Sequence, residues 1–170
     1  MTEDLPIVEF AFPGPLRDRI VAAVEAGDKT ATSSLLREYE RAGEPLPSEG
    51  RREVMVDSEG RRRAVLETTG VEAVALRDVP LGHALAEGEG YESVDDWRAG
   101  HVRFWTSPEM RAELGGGFVV DDSTVVVLER FRVVPPSGDD RDDRDHRDDR
   151  DDRDDREAAE PPDALPDATA

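Results

Sequence analysis

The sequence predicts an α+β domain over roughly residues 5 to 134, followed by a disordered tail over residues 135 to 170. Short β-branched runs bounded by turn residues recur through the domain, and helical apolar spacing occurs near its start and again around residue 100. Past Pro135-Pro136 an Asp-Asp-Arg repeat takes over, with no apolar residue between Gly138 and Glu157. A domain of about 130 residues buries close to two thirds of its unfolded surface, enough for a core without staples.

The elements follow in order. Ile7-Val8-Glu9-Phe10-Ala11-Phe12 reads as a first strand, stopped by Pro13-Gly14-Pro15. Leu16, Ile20, Val21 and Val24 recur at helical spacing, and Gly27 is the expected residue past the helix end. Lys29 therefore lies just beyond a helix C-terminus, and Thr30 to Ser34 reads as an extended or looped stretch rich in hydroxyls. A short apolar pattern, Leu35-Leu36-x-x-Tyr39, leads into a polar loop from Glu40 to Arg52. Val54-Met55-Val56 and Ala64 to Thr68 are strands joined by Ser58-Glu59-Gly60, with Val71 to Leu76 as the third strand of a meander. Leu81 to Ala86 forms a short helix, broken by Glu87-Gly88-Glu89-Gly90. Ser93 caps the next helix, with Asp95 and Asp96 in its first turn. On that helix Trp97, His101 and either Phe104 or Trp105 share a face. Glu109 to Leu114 makes a further helical turn, and Thr124 to Val134 is the strongest strand.

Charge and composition narrow the function. The formal net charge is -19. Residues 138 to 170 hold 15 Asp and Glu against 6 Arg, and the remainder 26 against 16, so both parts are acidic. Duplex DNA is not an expected partner, because such binding gains affinity by neutralising phosphates. The densest basic patch, Arg51, Arg52, Arg61, Arg62 and Arg63, is interleaved with Glu49, Glu53, Asp57 and Glu59 and reads as a solvated hairpin. There is no cysteine, and His83, His101 and His146 are too scattered for a metal site. No P-loop or dinucleotide loop is present, and no cofactor is expected. No apolar run reaches a membrane span, and Met-Thr-Glu-Asp-Leu-Pro lacks a signal-peptide pattern, so a cytoplasmic location and no membrane partner are expected. The tail repeat reads as a solvated spacer.

One compositional fact is sharper. Lysine and arginine together number 22, and Lys29 is the single lysine. A lysine carries a compact amine that can lose its proton, which a guanidinium cannot. Charge stabilisation at a helix C-terminus is the structural alternative. Thr32, three residues on, supplies a hydroxyl that becomes a nucleophile only when a base takes its proton. Beside an ionised glutamate, Lys29 is held charged and serves as a clamp for a phosphate or carbonyl at least as readily as a base.

Taken together, Gly27-x-Lys29-x-x-Thr32, the Glu38-Tyr39…Gly43-Glu44-Pro45 loop, Glu87-Gly88-Glu89-Gly90, Trp97-x-x-x-His101-x-x-Phe104 and the strand ending Glu129-Arg130-Phe131 resemble the ASCH domain family. The resemblance covers residues 5 to 134 and implies a PUA-like β-barrel with flanking helices and a cleft beside the Gly-x-Lys-x-x-Thr loop. It further implies binding of RNA or modified nucleosides; one branch hydrolyses the acetyl amide of N4-acetylcytidine, and other members are linked to ribonuclease activity. Carried onto this sequence, the catalytic residues would be Lys29, Thr32 and a glutamate, Glu87 or Glu89, with Glu89 favoured for its flanking glycines. Gly27, Ser33, Tyr39, Trp97 and His101 would contact the ligand, a small nucleoside or short single-stranded RNA. RNA binding without turnover, or ribonuclease activity, is the alternative reading, and for Trp97 and His101 a place in the core is the competing one.

Overall fold

A computed structural model describes residues 5–135; the Asp-Asp-Arg tail lies outside the described residues. The elements are β1 (Ile7–Val8), α1 (Pro15–Ala26), β2 (Ala31–Leu35), α2 (Leu36–Ala42), β3 (Arg52–Val56), β4 (Arg62–Ala75), α3 (Leu81–Ala86), α4 (Val94–Trp105), α5 (Pro108–Leu114) and β5 (Val125–Val134). Among the described residues no helix is long and apolar enough to cross a membrane.

The strands form one five-stranded sheet in the order β1-β3-β4-β5-β2. β1 runs parallel to β3, and every other pairing is antiparallel. The sheet is open, which corrects the closed barrel that the family resemblance implied: β1 and β2 are its two edges and do not pair. Arg17 explains much of the gap. Its buried guanidinium donates to the carbonyls of Phe10 and Ala11 at 3.0 and 2.6 Å and to Glu9 at 2.6 Å. Ala11 itself sits at φ 50. These carbonyls are turned to a side chain instead of a neighbouring strand, so β1 stops at Val8 and not at Phe12 as the sequence suggested.

The expected meander is also revised. Ala64–Thr68 and Val71–Ala75 belong to one 14-residue strand that ends before Leu76, because the register against β5 slips by one residue between Thr68 and Gly70. Thr69 is the extra residue of a bulge, and Gly70 keeps negative φ instead of making a turn. The pattern Leu35-Leu36-x-x-Tyr39 opens a true helix, α2, whose first turn is tied down by Glu38 accepting from the Leu35 N–H at 2.7 Å.

Two apolar clusters hold the layers together. Ile20, Val21 and Val24 of α1 pack on Phe10, Met55, Leu66 and Phe131. Trp97 and Trp105 of α4 pack with Leu35, Leu76, Met110, Leu114, Val126 and Leu128. Burial of a large aliphatic or aromatic side chain contributes about 1.5–3 kcal/mol, so these clusters set the helices on the sheet. The opening between β1 and β2 lies where the two clusters meet.

Candidate functional site

Three local features bring distant residues to the opening. Gly27 ends α1 in the left-handed conformation, φ 83, and Asp28 and Lys29 both donate backbone N–H groups to the Ala23 carbonyl. That turn folds Lys29 back toward the sheet. The Thr30 N–H then donates to the carbonyl of Ala86, at the end of α3, at 2.8 Å. Gly88 packs so tightly on this turn that a Cβ there would lie 2.3 Å from the Asp28 carbonyl oxygen. The strand of hydroxyls and the Glu-Gly-Glu-Gly segment are thereby locked side by side.

Lys29 is 2% exposed. Its ammonium pairs with Glu89 Oε1 at 2.7 Å, donates to the Glu87 carbonyl at 3.3 Å and lies 3.6 Å from Glu87 Oε2. The Phe10 ring covers it at 5.8 Å. Acceptors converge on one nitrogen from several directions, a geometry that suits a compact ammonium and not a planar guanidinium.

Glu87, 1% exposed, is the hub. Its Oε1 accepts from the Ser33 hydroxyl at 2.6 Å and from the Trp97 indole N–H at 2.9 Å. With that hydroxyl proton committed, Ser33 Oγ accepts from His83 Nε2 at 2.8 Å, which fixes the tautomer of His83. His83 and Glu87 are one helical turn apart, so α3 delivers both. Oε2 lies 3.1 Å from His101 Nε2 and yet has no aligned donor, the one such buried side-chain oxygen among the described residues. His101 is held by its Nδ1–H, which donates to the Trp97 carbonyl at 3.0 Å, and by stacking on the Trp97 ring at 4.3 Å. Burial opposes ionisation of Glu87, but contacts from His101 and His83 and the charge of Lys29 outweigh it and hold the carboxyl well below its usual range.

The network borders a cavity of about 130 Å³ lined by Thr32, Ser33, Glu87, Glu89, Tyr91 and His101 and by apolar walls that include Phe10 and Phe104. A larger cleft of about 510 Å³ adjoins it through Thr32, Ser33, Phe10 and Phe104. That cleft carries Glu9, Glu38, Glu44, Glu113 and Glu129 together with Tyr39. Tyr39 and Ser34 share a hydrogen bond of 3.0 Å between their hydroxyls, and burial with nearby Glu129, Glu38 and Glu53 pushes the phenol pKa up. Burial likewise raises Glu38, Glu53 and Glu129, and Glu129 is raised further by Glu53.

Of the residues singled out from sequence, Thr32, Ser33, Glu89 and His101 meet in the cavity wall, and Tyr39 lines the cleft. Lys29 stands behind that wall, Trp97 is 0% exposed and holds Glu87, and Gly27 acts through the turn. Glu87 and Glu89 both line the cavity. Sequence reasoning missed His83, for which the spacing His83-x-x-x-Glu87 was the available signal, and Tyr91, for which none was. In the basic patch Arg51, Arg52, Arg61 and Arg63 each pair with a carboxylate, so those four charges are neutralised locally.

Comparison with known proteins agrees with this architecture. The chain is 28% identical to protein EF3133 from Enterococcus faecalis V583, with a TM-score of 0.67 over 76% of each chain. It is 26% identical to an ASCH domain from Lactobacillus crispatus JV V101, again at 0.67, over 76% of this chain and 79% of that one. No curated protein matches the sequence. The profile of the ASCH domain matches residues 9–135, most of the chain, and the protein therefore belongs to the ASCH domain family.

Proposed function

We propose that the protein binds a nucleoside, with the base entering the 130 Å³ cavity and the sugar lying in the adjoining cleft. The observation that carries this reading is Glu87, a buried carboxylate of the cavity lining whose Oε2 faces His101 Nε2 at 3.1 Å and Lys29 at 3.6 Å but has no aligned donor. A buried charged acceptor in that state is completed by a ligand N–H, the group a base edge presents. The cavity volume is close to the roughly 150 Å³ that admits a benzene-sized ring. The glutamates of the cleft repel phosphate, and the Lys29 ammonium is already engaged by Glu87 and Glu89, so a nucleoside suits the site better than a nucleotide or RNA.

A second reading, hydrolysis of an amide on that base, is favoured by the presence of Thr32 and Glu89 in one wall. Thr32 Oγ adds to the amide carbonyl as its proton passes to the Glu89 carboxylate. The C–N bond then breaks, the amine leaves with that proton, and water cleaves the acyl-threonine ester to free the acid. Lys29, behind the wall, positions both carboxylates.

Calorimetric titration with cytidine, N4-acetylcytidine and cytidine 5′-monophosphate tests the binding. Both nucleosides are expected to bind, the monophosphate at least tenfold more weakly, and Glu87→Gln is expected to weaken them all. Tighter binding of the monophosphate, or of a short RNA in a salt-sensitive manner, would overturn the reading. Acetate release from N4-acetylcytidine that is lost in Thr32→Ala, with binding retained, supports the hydrolytic step.

A further inference from the structure

Tyr91 takes no part in the network around Glu87, yet it forms a wall of the cavity. It sits in the segment joining α3 to α4, directly after Gly90, whose φ is 87 and around which a Cβ would meet nothing. From there the side chain lies back across α4. A Cβ on Gly100 would come within 2.4 Å of the Tyr91 hydroxyl and 3.0 Å of its ring, so the tyrosine occupies the space that a side chain at position 100 would take. The ring lies 5.8 Å from that of His101. Among the described residues the Tyr91 hydroxyl makes no hydrogen bond. Burial and the charges of Glu89 and Glu87 push its pKa up, so it stays a phenol and a donor. It is thus a donor in a wall whose carboxylates can only accept. The other aromatic donors do not compete for this role. Trp97 and Trp105 are 0% and 1% exposed, and the Tyr39 hydroxyl is bonded to Ser34 in the outer cleft.

We propose that Tyr91 is a specificity-determining residue of this cavity: its hydroxyl donates to an acceptor on the edge of the base, while Gly100 leaves the space that lets the tyrosine lie there. This rests on the nucleoside reading above. It also refines it, since a base held by Glu87 at an N–H and by Tyr91 at an acceptor must carry both on its exposed edges. Uracil offers a single ring N–H flanked by two carbonyls. Cytosine offers an exocyclic amine beside a ring acceptor.

The test is calorimetric titration of the full chain with cytidine, with thermal melting of each variant as the folding control. Loss of a hydrogen bond that leaves a buried acceptor unpaired costs about 1–3 kcal/mol, or about 5- to 150-fold in affinity. Tyr91→Phe, which keeps the ring and removes only the hydroxyl, is expected to lose that much, and Tyr91→Ala at least as much. Gly100→Ala supplies the second arm. Alanine is the better helix former, so α4 is not weakened by propensity, but the new methyl displaces the tyrosine. It is expected to weaken binding in the Tyr91 protein and to have no further effect in Tyr91→Ala. Unchanged affinity in Tyr91→Phe, or an equal effect of Gly100→Ala in both backgrounds, overturns the assignment while the nucleoside reading stands. Absence of binding by the wild-type chain to cytidine, adenosine and N4-acetylcytidine alike overturns both.

Discussion

Around Glu87 a fully buried carboxylate is met by Lys29, His83, His101, Ser33 and Trp97, whereas around Tyr39 the partly buried carboxylates Glu38, Glu53 and Glu129 each have one main partner, the Leu35 N–H, Arg51 and the Thr68 hydroxyl, and another glutamate nearby. Both groups flank β2 and one continuous opening, and both contain glutamate removed from water. Their ionisation moves in opposite directions. In the first, neighbouring cations and donors overcome burial; in the second, burial dominates, and a single aligned hydroxyl, Thr68 to Glu129 at 2.6 Å, or a single pairing such as Arg51 with Glu53 at 2.7 Å, does not cancel it. Burial alone therefore does not set the charge of a glutamate. The count and alignment of its partners do.

The largest test of this contrast is Lys29→Met. Removing one partner of a buried ion pair costs about 3–5 kcal/mol, because the carboxylates are left uncompensated. Urea denaturation should show a loss of that size, and adding Glu87→Gln should recover part of it. A loss below about 1 kcal/mol would mean that the Glu87 region is no better compensated than the Tyr39 region. Ser33→Ala comes next, at about 1–3 kcal/mol, since it strips a donor from Glu87 Oε1 and an acceptor from His83 together. The matching change beside Tyr39, Ser34→Ala, should cost less, because the phenol faces an open cleft where water can replace the hydroxyl. Equal losses in the two serines would erase the distinction.

The smallest effect is in the pH dependence of stability. Glu87 has a depressed folded pKa, so its contribution is present above the ordinary value of 4.5 and is lost as pH falls through the folded value. Glu38, Glu53 and Glu129 are raised, so their contribution is present below 4.5 and is lost as pH rises through their folded values. From 4.5 upward the Glu87 region is level and the Tyr39 region declines. Glu129→Gln should flatten that decline by about 0.2–1 kcal/mol, the scale of partly exposed charge pairs. Thermal melts between weakly acidic and neutral pH would show it, and an unaltered slope would remove Glu129 from the account.

Much of the element order is legible in the residues. Gly27 stops α1, Ser93 accepts from the Asp96 N–H at 3.1 Å to start α4, and Ser107 with Pro108 starts α5, all by local capping chemistry. The errors fall where a local signal was ambiguous. Thr69-Gly70 could be a turn or a bulge, and only pairing with β5 along the full length of β4 distinguishes them. The apolar run at residues 7–12 has strand character, but Arg17, in the first turn of α1, takes the carbonyls that would have extended it.

The site divides along the same line. From the sequence alone came a lone lysine past a helix end, a hydroxyl strand beginning beside it and a glycine-flanked pair of glutamates, because composition, spacing and capping are properties of neighbouring residues. That Lys29 lies behind the wall, that Glu87 is the hub and that Tyr91 lies across Gly100 were decided by tertiary structure. Each depends on contacts between residues that are far apart in the chain or come from different elements, and on the direction of side chains that several elements surround at once. No local pattern encodes which of two glutamates a buried ammonium will face from which side.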